Sequence, residues 1–408
     1  MPRSTWVAVC LLSLCPWTLA AGDPGNFAGR WQTSLGPLEL RQQGSEVSGD
    51  YRSGRLRARL HGSVSERRLE FRYVEGGRGG EGYFELSENG EKLTGGWRRS
   101  GRERWRPWSG DLETRREIEP PFAGVWKTTW GPLRLTALDG KLSGPYGSAG
   151  SRLEGEMKDG RLVFEYTEPT TSGEGWFELA EDGRSFDGRW REKGTSRWRS
   201  WRGDRVASDP SRVWLVILEA HWEEGLTESE YDFGSMLRAY FTMSEARQVA
   251  VRQRFFHDLA DFQRFCREAA YLTEPVVLLV STHGTPEGIS VGGETISPEE
   301  IADSVSDVPE LLLLHLSGCD MMARAAPQKI HERLGDKATF PISGYKTTVA
   351  WDASALADFT FLSLLLIRGF HPSAAVEESI RLSPYLGDDV ADGTVFQPLG
   401  LAIRPSPR

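Results

Sequence analysis

Hydrophobic and polar residues alternate along the N-terminal half of the chain. The alternation is clear in Leu69–Tyr73 and Phe84–Leu86, and glycine-containing turn signals separate the alternating stretches. A period of two with a turn about every 8–12 residues predicts antiparallel strands joined as hairpins. About six to eight short strands per module predict a small up-and-down barrel or a curved sheet.

This β pattern occurs twice. Phe27–Trp31 and Phe122–Trp126 both read Phe-Ala-Gly-x-Trp, and Gly-Pro-Leu follows at the same distance in both copies. Further along, the aromatic and glycine positions of Gly82–Asp111 recur in Gly175–Asp204. Agreement at so many spaced positions predicts an internal duplication.

The C-terminal half has a different pattern of hydrophobic residues. Val213–Leu218, Val276–Ser281 and Leu311–Leu316 are continuous apolar runs, which are typical of parallel strands buried on both faces. Helical stretches are predicted between them, including Met243–Ala270 and a helix capped by Ser297, where Glu300 completes a capping box. The order strand, helix, strand predicts an α/β unit with a right-handed crossover.

The N-terminus has the features of a secretory signal peptide. One charge, Arg3, precedes an apolar run at Trp6–Leu14 and the small residues at 20–22. This run and the apolar run Phe359–Ile367 are both shorter than the roughly 20 residues that span a bilayer. We therefore expect an exported protein, periplasmic or extracellular, without a transmembrane segment.

Charge and sequence pattern divide the chain. Residues 23–206 carry 32 Lys and Arg against 29 Asp and Glu, whereas residues 207–408 carry 16 against 29. The slight N-terminal excess is interleaved with acids, which argues against nucleic acid as a partner. The predicted organisation is a signal peptide at 1–21, β modules at 22–112 and 122–206 with a linker at 113–121, and an α/β domain at 207–408.

Cysteine usage does not indicate a disulfide framework. Cys10 and Cys15 would leave with the signal peptide, so Cys266 and Cys319 remain. A single bridge between these two is one alternative in an oxidising compartment. We favour two thiols, with Cys266 in a helix core and Cys319 reactive. No metal-ligand spacing or phosphate-binding loop is present, so neither a metal nor a cofactor is predicted.

Two polar motifs directly follow neighbouring predicted strands. His283 and Gly284 follow Val276–Ser281, and Cys319 follows Leu311–Leu316. Because parallel strands end at one edge of a sheet, we expect the imidazole and the thiol to converge there. An imidazole that takes the proton of a thiol makes it an effective nucleophile. Gly284 permits a close approach, and its N–H and that of Cys319 are the candidate oxyanion donors.

Other titratable residues lie near this pair. His315 is four residues before Cys319, which is about 13 Å along a strand at about 3.3 Å per residue, so we expect a core role for it. Asp320 and Asp352 are the carboxylates closest in sequence to the presumed site or to the segment expected to line it. If these carboxylates line the substrate pocket, they would favour a substrate with a basic residue. The alternative is that they are solvated or capping aspartates.

The C-terminal half resembles the caspase-like cysteine peptidases, which include caspases, legumain, gingipains, separase and the CHAT proteins. The likeness covers about residues 212–385 and consists of one apolar strand ending in His-Gly and a second ending in Gly318-Cys319. The stretches 342–355 and 359–376 resemble the segments that follow the nucleophile in CHAT-type domains. The caspase Gln-Ala-Cys-x-Gly signature is absent, so specificity for aspartate is not implied.

The resemblance implies peptide-bond hydrolysis by thiol attack through an acyl-enzyme, carried by His283 and Cys319 without a third catalytic side chain. We therefore expect an exported cysteine endopeptidase acting on protein or peptide substrates, with β modules that localise or regulate it. The alternative is a non-catalytic binding protein that keeps a caspase-like scaffold and recognises its partner through the β modules.

Ten of the fifteen tryptophans lie in the two β modules. Aromatic residues are common in strands, so the expected role of these side chains is to fill module cores. The alternative is a recognition surface for glycan, peptide or cell envelope, formed by Trp and Arg in the segments Arg104–Trp108 and Arg197–Trp201.

Overall fold

The structure is a computed structural model, and it describes residues 25–138, 140–209, 211–221, 232–243, 248–285, 287–308, 310–323, 325–388 and 397–407. The predicted signal peptide at 1–21, with Cys10 and Cys15, lies outside the described residues. The described chain forms two closed antiparallel barrels followed by a mostly parallel sheet with helices, which confirms the predicted fold class.

The first β module is a closed eight-stranded barrel. Its strands are β1 (Gly29–Thr33), β2 (Gly36–Gln43), β3 (Glu46–Ser53), β4 (Leu56–Ser65), β5 (Arg68–Glu75), β6 (Arg78–Leu86), β7 (Lys92–Arg99) and β8 (Arg106–Arg115). Each strand pairs with the next, and β1 closes the barrel against β8. The predicted alternation decides which side chains face the barrel interior. In β5, Leu69, Phe71 and Tyr73 are buried, while the intervening Glu70 and Arg72 are exposed.

The second β module repeats this architecture. Its strands are β9 (Gly124–Thr128), β10 (Gly131–Leu138), β11 (Lys141–Pro145), β12 (Arg152–Lys158), β13 (Arg161–Thr167), β14 (Ser172–Leu179), β15 (Ser185–Glu192) and β16 (Arg199–Arg205). The barrel closes between β16 and β9. Closure pairs every strand on both sides, so neither barrel leaves an open sheet edge.

Buried tryptophans fill both barrels at equivalent positions. The indole N–H of Trp31 donates to the Phe27 carbonyl at 2.9 Å, and that of Trp126 donates to the Phe122 carbonyl at 2.9 Å. Trp108 and Trp201 are also buried. These positions bear out the core role expected for the tryptophans, and Trp108 and Trp201 are not part of the exposed surface that the alternative interpretation requires.

Surface tryptophans remain at one position in each of the two segments considered for recognition. Trp105 is 41% exposed and Trp198 is 36% exposed. Arg98 stacks on Trp105 at 4.6 Å and Arg191 on Trp198 at 4.7 Å. Each pair is an exposed cation–π contact on the outer face of its barrel.

The C-terminal half is a three-layer α/β unit. Its strands are β17 (Arg212–Ala220), β18 (Gln248–Phe256), β19 (Val276–Ser281), β20 (His283–Thr285), β21 (Gly288–Val291), β22 (Glu294–Ile296), β23 (Leu311–Ser317), β24 (Ile342–Tyr345) and β25 (Leu401–Arg404). The main sheet has the order β18-β17-β19-β23-β24-β25, and only β25 runs antiparallel to its neighbour. The short strands β20, β21 and β22 form a separate antiparallel sheet.

Helices cover both faces of the main sheet. They are α1 (Phe233–Thr242), α2 (Leu259–Ala269), α3 (Pro298–Val305), α4 (Ala326–Leu334), α5 (Trp351–Leu362) and α6 (Pro372–Leu382), and a π-helical turn at Ser363–Ile367 follows α5. Side chains of α2, α3 and α4 share one core, and those of α1, α5 and α6 share the other. Successive strand residues enter opposite cores, as Leu278 and Leu279 do, so the central strands are apolar throughout.

One helix prediction was wrong in its extent. The stretch Met243–Ala270 contains strand β18 before helix α2 begins. Asp258 caps α2 by accepting a hydrogen bond from the Asp261 N–H at 2.8 Å, which places a helix start inside the predicted helix. The capping box at Ser297 and Glu300 is confirmed.

The barrels of the first and second β modules are called barrel 1 and barrel 2. Barrel 1 contacts the α/β unit through main-chain hydrogen bonds. The Arg57 N–H donates to the Gly369 carbonyl at 2.8 Å, and the His371 N–H donates to the Arg55 carbonyl at 2.8 Å. The Arg55 guanidinium also pairs with Glu377 at 3.1 Å. Main-chain bonds of this kind resemble strand pairing and hold the β3–β4 hairpin of barrel 1 against the segment that precedes α6.

Replacement of a core tryptophan should cost far more stability than replacement of a surface one. We expect Trp126→Ala to lower the free energy of unfolding of its barrel by about 3–5 kcal/mol, because a buried ring and its hydrogen bond are lost. The matched variant Trp198→Ala should cost about 1 kcal/mol or less. Guanidinium unfolding followed by circular dichroism measures both, and equal shifts for the two variants would contradict the core assignment.

His371 should make the stability of the chain depend on pH. Burial, followed by the nearby Arg52 and Arg57, lowers the pKa of His371 to about 4. The unfolded chain binds a proton at this residue below about pH 6.5. Between these two values the unfolded state holds more protons, so stability is lost as the pH falls from about 6.5 towards 4.

The variant His371→Asn should therefore show a shallower fall of the denaturation midpoint across that pH window than the unmodified chain. An unchanged slope in His371→Asn would show that this side chain does not couple folding to pH.

Candidate active site at the edge of the parallel sheet

The candidate dyad lies where two paired strands end. Strands β19 and β23 are parallel neighbours, and their register places Ser281 opposite Ser317. His283 is two residues beyond Ser281, and Cys319 is two residues beyond Ser317. The chain therefore leaves both strands at the same level of the same edge of the sheet.

The two departing segments are in backbone contact. The Thr282 N–H donates to the Ser317 carbonyl at 3.2 Å. A Cβ atom at Gly284 would lie 1.9 Å from the carbonyl oxygen of Cys319, and one at Gly318 would lie 2.8 Å from the carbonyl oxygen of Thr282. Because a side chain fits at neither position, the approach of these segments requires both glycines.

The Cys319 thiol is half-buried against the loop that follows β24. Its Sγ lies 3.5 Å from the Val349 nitrogen, which donates to it, and 3.8 Å from the Val349 carbonyl oxygen. Cys319 and Cys266 are both free thiols in the structure. Cys266 is fully buried in α2, and burial raises the pKa of its thiol to about 12, as fits the expected helix-core residue.

The imidazole of His283 is exposed and lies beside the first residue of α5. The ring centroids of His283 and Trp351 are 6.4 Å apart, with an angle of 73° between the planes. The segment from Val349 to Trp351 therefore contacts both members of the candidate dyad. The sequence identified this stretch only as part of a family resemblance, since an apolar residue and a tryptophan carry no signal of their own for such a contact.

Asp320 and Asp352 lie on either side of this segment. Asp320 adopts a left-handed backbone conformation with φ of 57°, and its carboxylate accepts a hydrogen bond from the Thr348 hydroxyl at 3.3 Å. Asp352 is exposed in the first turn of α5, where its carboxylate accepts from the Ala353 N–H at 2.8 Å. Both aspartates make local hydrogen bonds, and their role in substrate binding stays a prediction.

A buried polar network lies beneath the edge. His315 is fully buried, with Nδ1 2.8 Å from the Ser343 hydroxyl and Nε2 2.7 Å from the Asp358 carboxylate. Asp358 also accepts hydrogen bonds from the hydroxyls of Ser317 and Tyr345. The structure thus places His315 in the core, as expected, and the network joins helix α5 to strands β23 and β24.

The network explains how one helix can be held close to the dyad. Burial and the neighbouring Asp358 carboxylate raise the pKa of Tyr345 well above its ordinary value, so the phenol stays a hydrogen-bond donor. A buried carboxylate is tolerated where several donors surround it. The sequence suggested none of these partners, because they come from β23, β24 and α5 and meet only in the fold.

Comparisons with known proteins give little similarity. No family model and no curated protein matches the chain. Among solved structures, caspase-1 from Spodoptera frugiperda is similar over 48% of this chain and 86% of its own length, with 13% sequence identity and a TM-score of 0.29.

The described residues form neither a metal-binding cluster nor a membrane-spanning helix. Within the described ranges, His, Cys, Asp and Glu side chains do not gather into a group of three or more that could hold a metal ion. In the same part of the chain, every helix is too short or too polar to cross a bilayer.

Removal of the Asp358 carboxylate should destabilise the α/β unit. Asp358→Ala would leave His315, Ser317 and Tyr345 without their shared acceptor in a buried site, and we expect a loss of about 3 kcal/mol or more. Asp352→Ala, six residues earlier on the exposed side of the same helix, should change stability by about 0.5 kcal/mol or less. Chemical denaturation measures both; a similar small loss in the two variants would refute the importance of the network.

Proposed function

We propose that this chain is an exported, periplasmic or extracellular cysteine endopeptidase in which His283 is the base and Cys319 the nucleophile. The observation that carries the proposal is the backbone contact of the two segments that bear them, which requires glycine at positions 284 and 318. A cysteine and a histidine on touching loops at the carboxyl edge of a parallel sheet form an arrangement suited to acyl transfer.

In the proposed reaction, the imidazole of His283 takes the proton of the Cys319 thiol, and the sulfur attacks the carbonyl carbon of a peptide bond. The main-chain N–H groups of Gly284 and Cys319 are the candidate donors to the oxyanion that forms. The imidazolium then returns its proton to the leaving amine, and an acyl-enzyme remains. Water, deprotonated by His283, hydrolyses the thioester and restores the thiol.

The contacts of Cys319 limit the directions from which a substrate can approach the sulfur. Because the thiol lies against the main chain of Val349, a substrate carbonyl must reach the sulfur beside this segment. Protein and peptide substrates are the proposed partners. Of the two candidate aspartates, Asp352 is the exposed one and is the better placed to contact a basic residue before the scissile bond.

The β modules are proposed to localise or restrain the peptidase. Main-chain hydrogen bonds join barrel 1 to the α/β unit next to α6, and the Arg134 guanidinium of barrel 2 donates to the Ala270 carbonyl at 2.8 Å. The exposed Arg-stacked rings Trp105 and Trp198 are candidate contacts to a glycan or to the cell envelope.

The second candidate function is binding without catalysis, with the α/β unit as a scaffold. The half-buried state of Cys319, whose sulfur already contacts the Val349 main chain, favours it. The two functions differ in one measurable property, which is the reactivity of the thiol at position 319.

The purified chain should react with a peptide-based electrophile directed at active-site thiols, such as an acyloxymethyl ketone. Cys319→Ala should abolish labelling, and His283→Ala should slow it about 10²–10⁴-fold because the base is lost. Cys266→Ala serves as the matched control and should label as the unmodified chain does, since its thiol is buried. Circular dichroism confirms that each variant folds.

Equal labelling of Cys319→Ala and the unmodified chain would exclude Cys319 as the nucleophile. A chain that labels at Cys319 but cleaves no member of a diverse peptide library would favour the non-catalytic scaffold. Cleavage that is lost in both His283→Ala and Cys319→Ala, with the fold intact, would exclude that scaffold.

A further inference from the structure

Barrel 2 contains an aromatic-walled cavity of about 250 Å³. Its wall includes Trp130, Tyr146, Tyr166, Glu168, Trp190 and Trp201. Trp130 is 43% exposed, so the cavity opens to the surface at this residue, whereas Tyr146, Tyr166 and Trp201 belong to the buried interior. The volume is smaller than the roughly 300–1,000 Å³ typical of sites for drug-sized ligands, so it suits a small head group.

The rings of the wall stand at steep angles to one another. Trp130 and Trp190 have centroids 4.9 Å apart at 87°, and Tyr166 and Trp190 are 5.5 Å apart at 85°. Tyr146 stands at 83° to Tyr166 and at 61° to Trp201. Rings arranged in this way form a box with several π faces, whose quadrupoles are negative over the ring.

Charge within the cavity favours a cation. Glu168 is half-buried, and its carboxylate accepts a hydrogen bond from the Tyr146 hydroxyl at 2.8 Å. All residues that line the cavity belong to the described chain, and none is a lysine or an arginine. Arg199 lies outside the lining and stacks on the Trp190 ring at 5.0 Å, so its charge opposes a cation at that ring and leaves Trp130 and Glu168 as the attracting groups.

Two polar groups of the wall have no hydrogen-bond partner within the described residues. They are the Tyr166 hydroxyl and the Trp190 indole N–H, and both are buried. Burial, followed by the nearby Glu168, raises the pKa of Tyr166 to about 12, so its phenol remains neutral. Buried donors without partners are rare in folded proteins and are costly. Within the described chain, the equivalent Tyr73 hydroxyl of barrel 1 is unpartnered too, so only the Trp190 N–H distinguishes barrel 2.

From this geometry we propose that the cavity of barrel 2 binds the alkylammonium group of a small ligand. The ammonium would contact the face of Trp130 and the charge of Glu168. Boxes of aromatic rings beside a carboxylate recognise quaternary ammonium groups by cation–π attraction.

Barrel 1 provides an internal comparison. Tyr51, Tyr73, Glu75, Trp97 and Trp108 stand at the positions equivalent to those of the barrel 2 wall. The equivalent ring pairs are alike, with Tyr51 and Trp108 4.9 Å apart at 63° and Tyr73 and Trp97 5.8 Å apart at 83°. Leu35 replaces Trp130, so barrel 1 lacks the outer ring of the box. The proposal therefore places one ligand in each chain.

The test titrates the purified full chain with choline and, separately, with 3,3-dimethyl-1-butanol, the neutral isostere of choline. Calorimetry and tryptophan fluorescence follow the binding. We expect saturable binding of one choline per chain and binding of the isostere that is at least about tenfold weaker, because only choline carries the positive charge. Equal binding of the two compounds, or no saturation by choline at tens of millimolar, would overturn the proposal.

Matched variants locate the site. Glu168→Gln should weaken choline binding about tenfold or more, and Trp130→Leu, which copies barrel 1, should do the same. Glu75→Gln, the equivalent change in barrel 1, should leave binding unchanged. Circular dichroism checks the fold of each variant.

If Glu75→Gln reduces binding and Glu168→Gln does not, choline binds elsewhere. If N-acetylglucosamine binds more tightly than choline at this cavity, it is a sugar site. Either result would overturn the proposal.

Discussion

The parallel pairing of β19 with β23 determines what the C-terminal half of this chain can do. Ser281 lies opposite Ser317, so the chain leaves both strands at one level. The segments that follow touch through their backbones at Gly284 and Gly318, where a Cβ would collide with carbonyl oxygens. The positions of the His283 imidazole and the Cys319 thiol thus follow from main-chain packing, before any attraction between the two side chains is considered.

The site rests on a polar layer that is buried beneath it. Asp358 joins helix α5 to His315 and Ser317 of β23 and to Tyr345 of β24. Hydrogen-bonded networks in a low dielectric are rigid when every member is satisfied. The same helix begins at Trp351, beside the His283 ring, so the network positions a residue at the exposed edge from within the core.

The two barrels have similar interiors but differ in one side chain at the opening of the cavity. Trp108 and Trp201 each donate an indole N–H to a threonine, Thr33 and Thr128, at 2.9 and 2.8 Å. These matching bonds hold the buried tryptophan in the same position in both barrels. The exchange of Leu35 for Trp130 changes only the rim, where a side chain is free to differ without disturbing the packed layer beneath it.

The sequence by itself determined the class of each element wherever burial has a simple period. Alternation predicted the barrel strands, and continuous apolar runs predicted β17, β19 and β23, because these patterns record which faces lose contact with water. It did not separate β18 from α2, and it contained no signal for the contact of Val349 with Cys319. Tertiary structure alone decided the closure of the barrels, the inward orientation of Trp108 and Trp201, and the meeting of three elements at Asp358. The physical reason is that periodicity shows that a face is covered, whereas the segment that covers it is selected by packing between residues far apart in the chain.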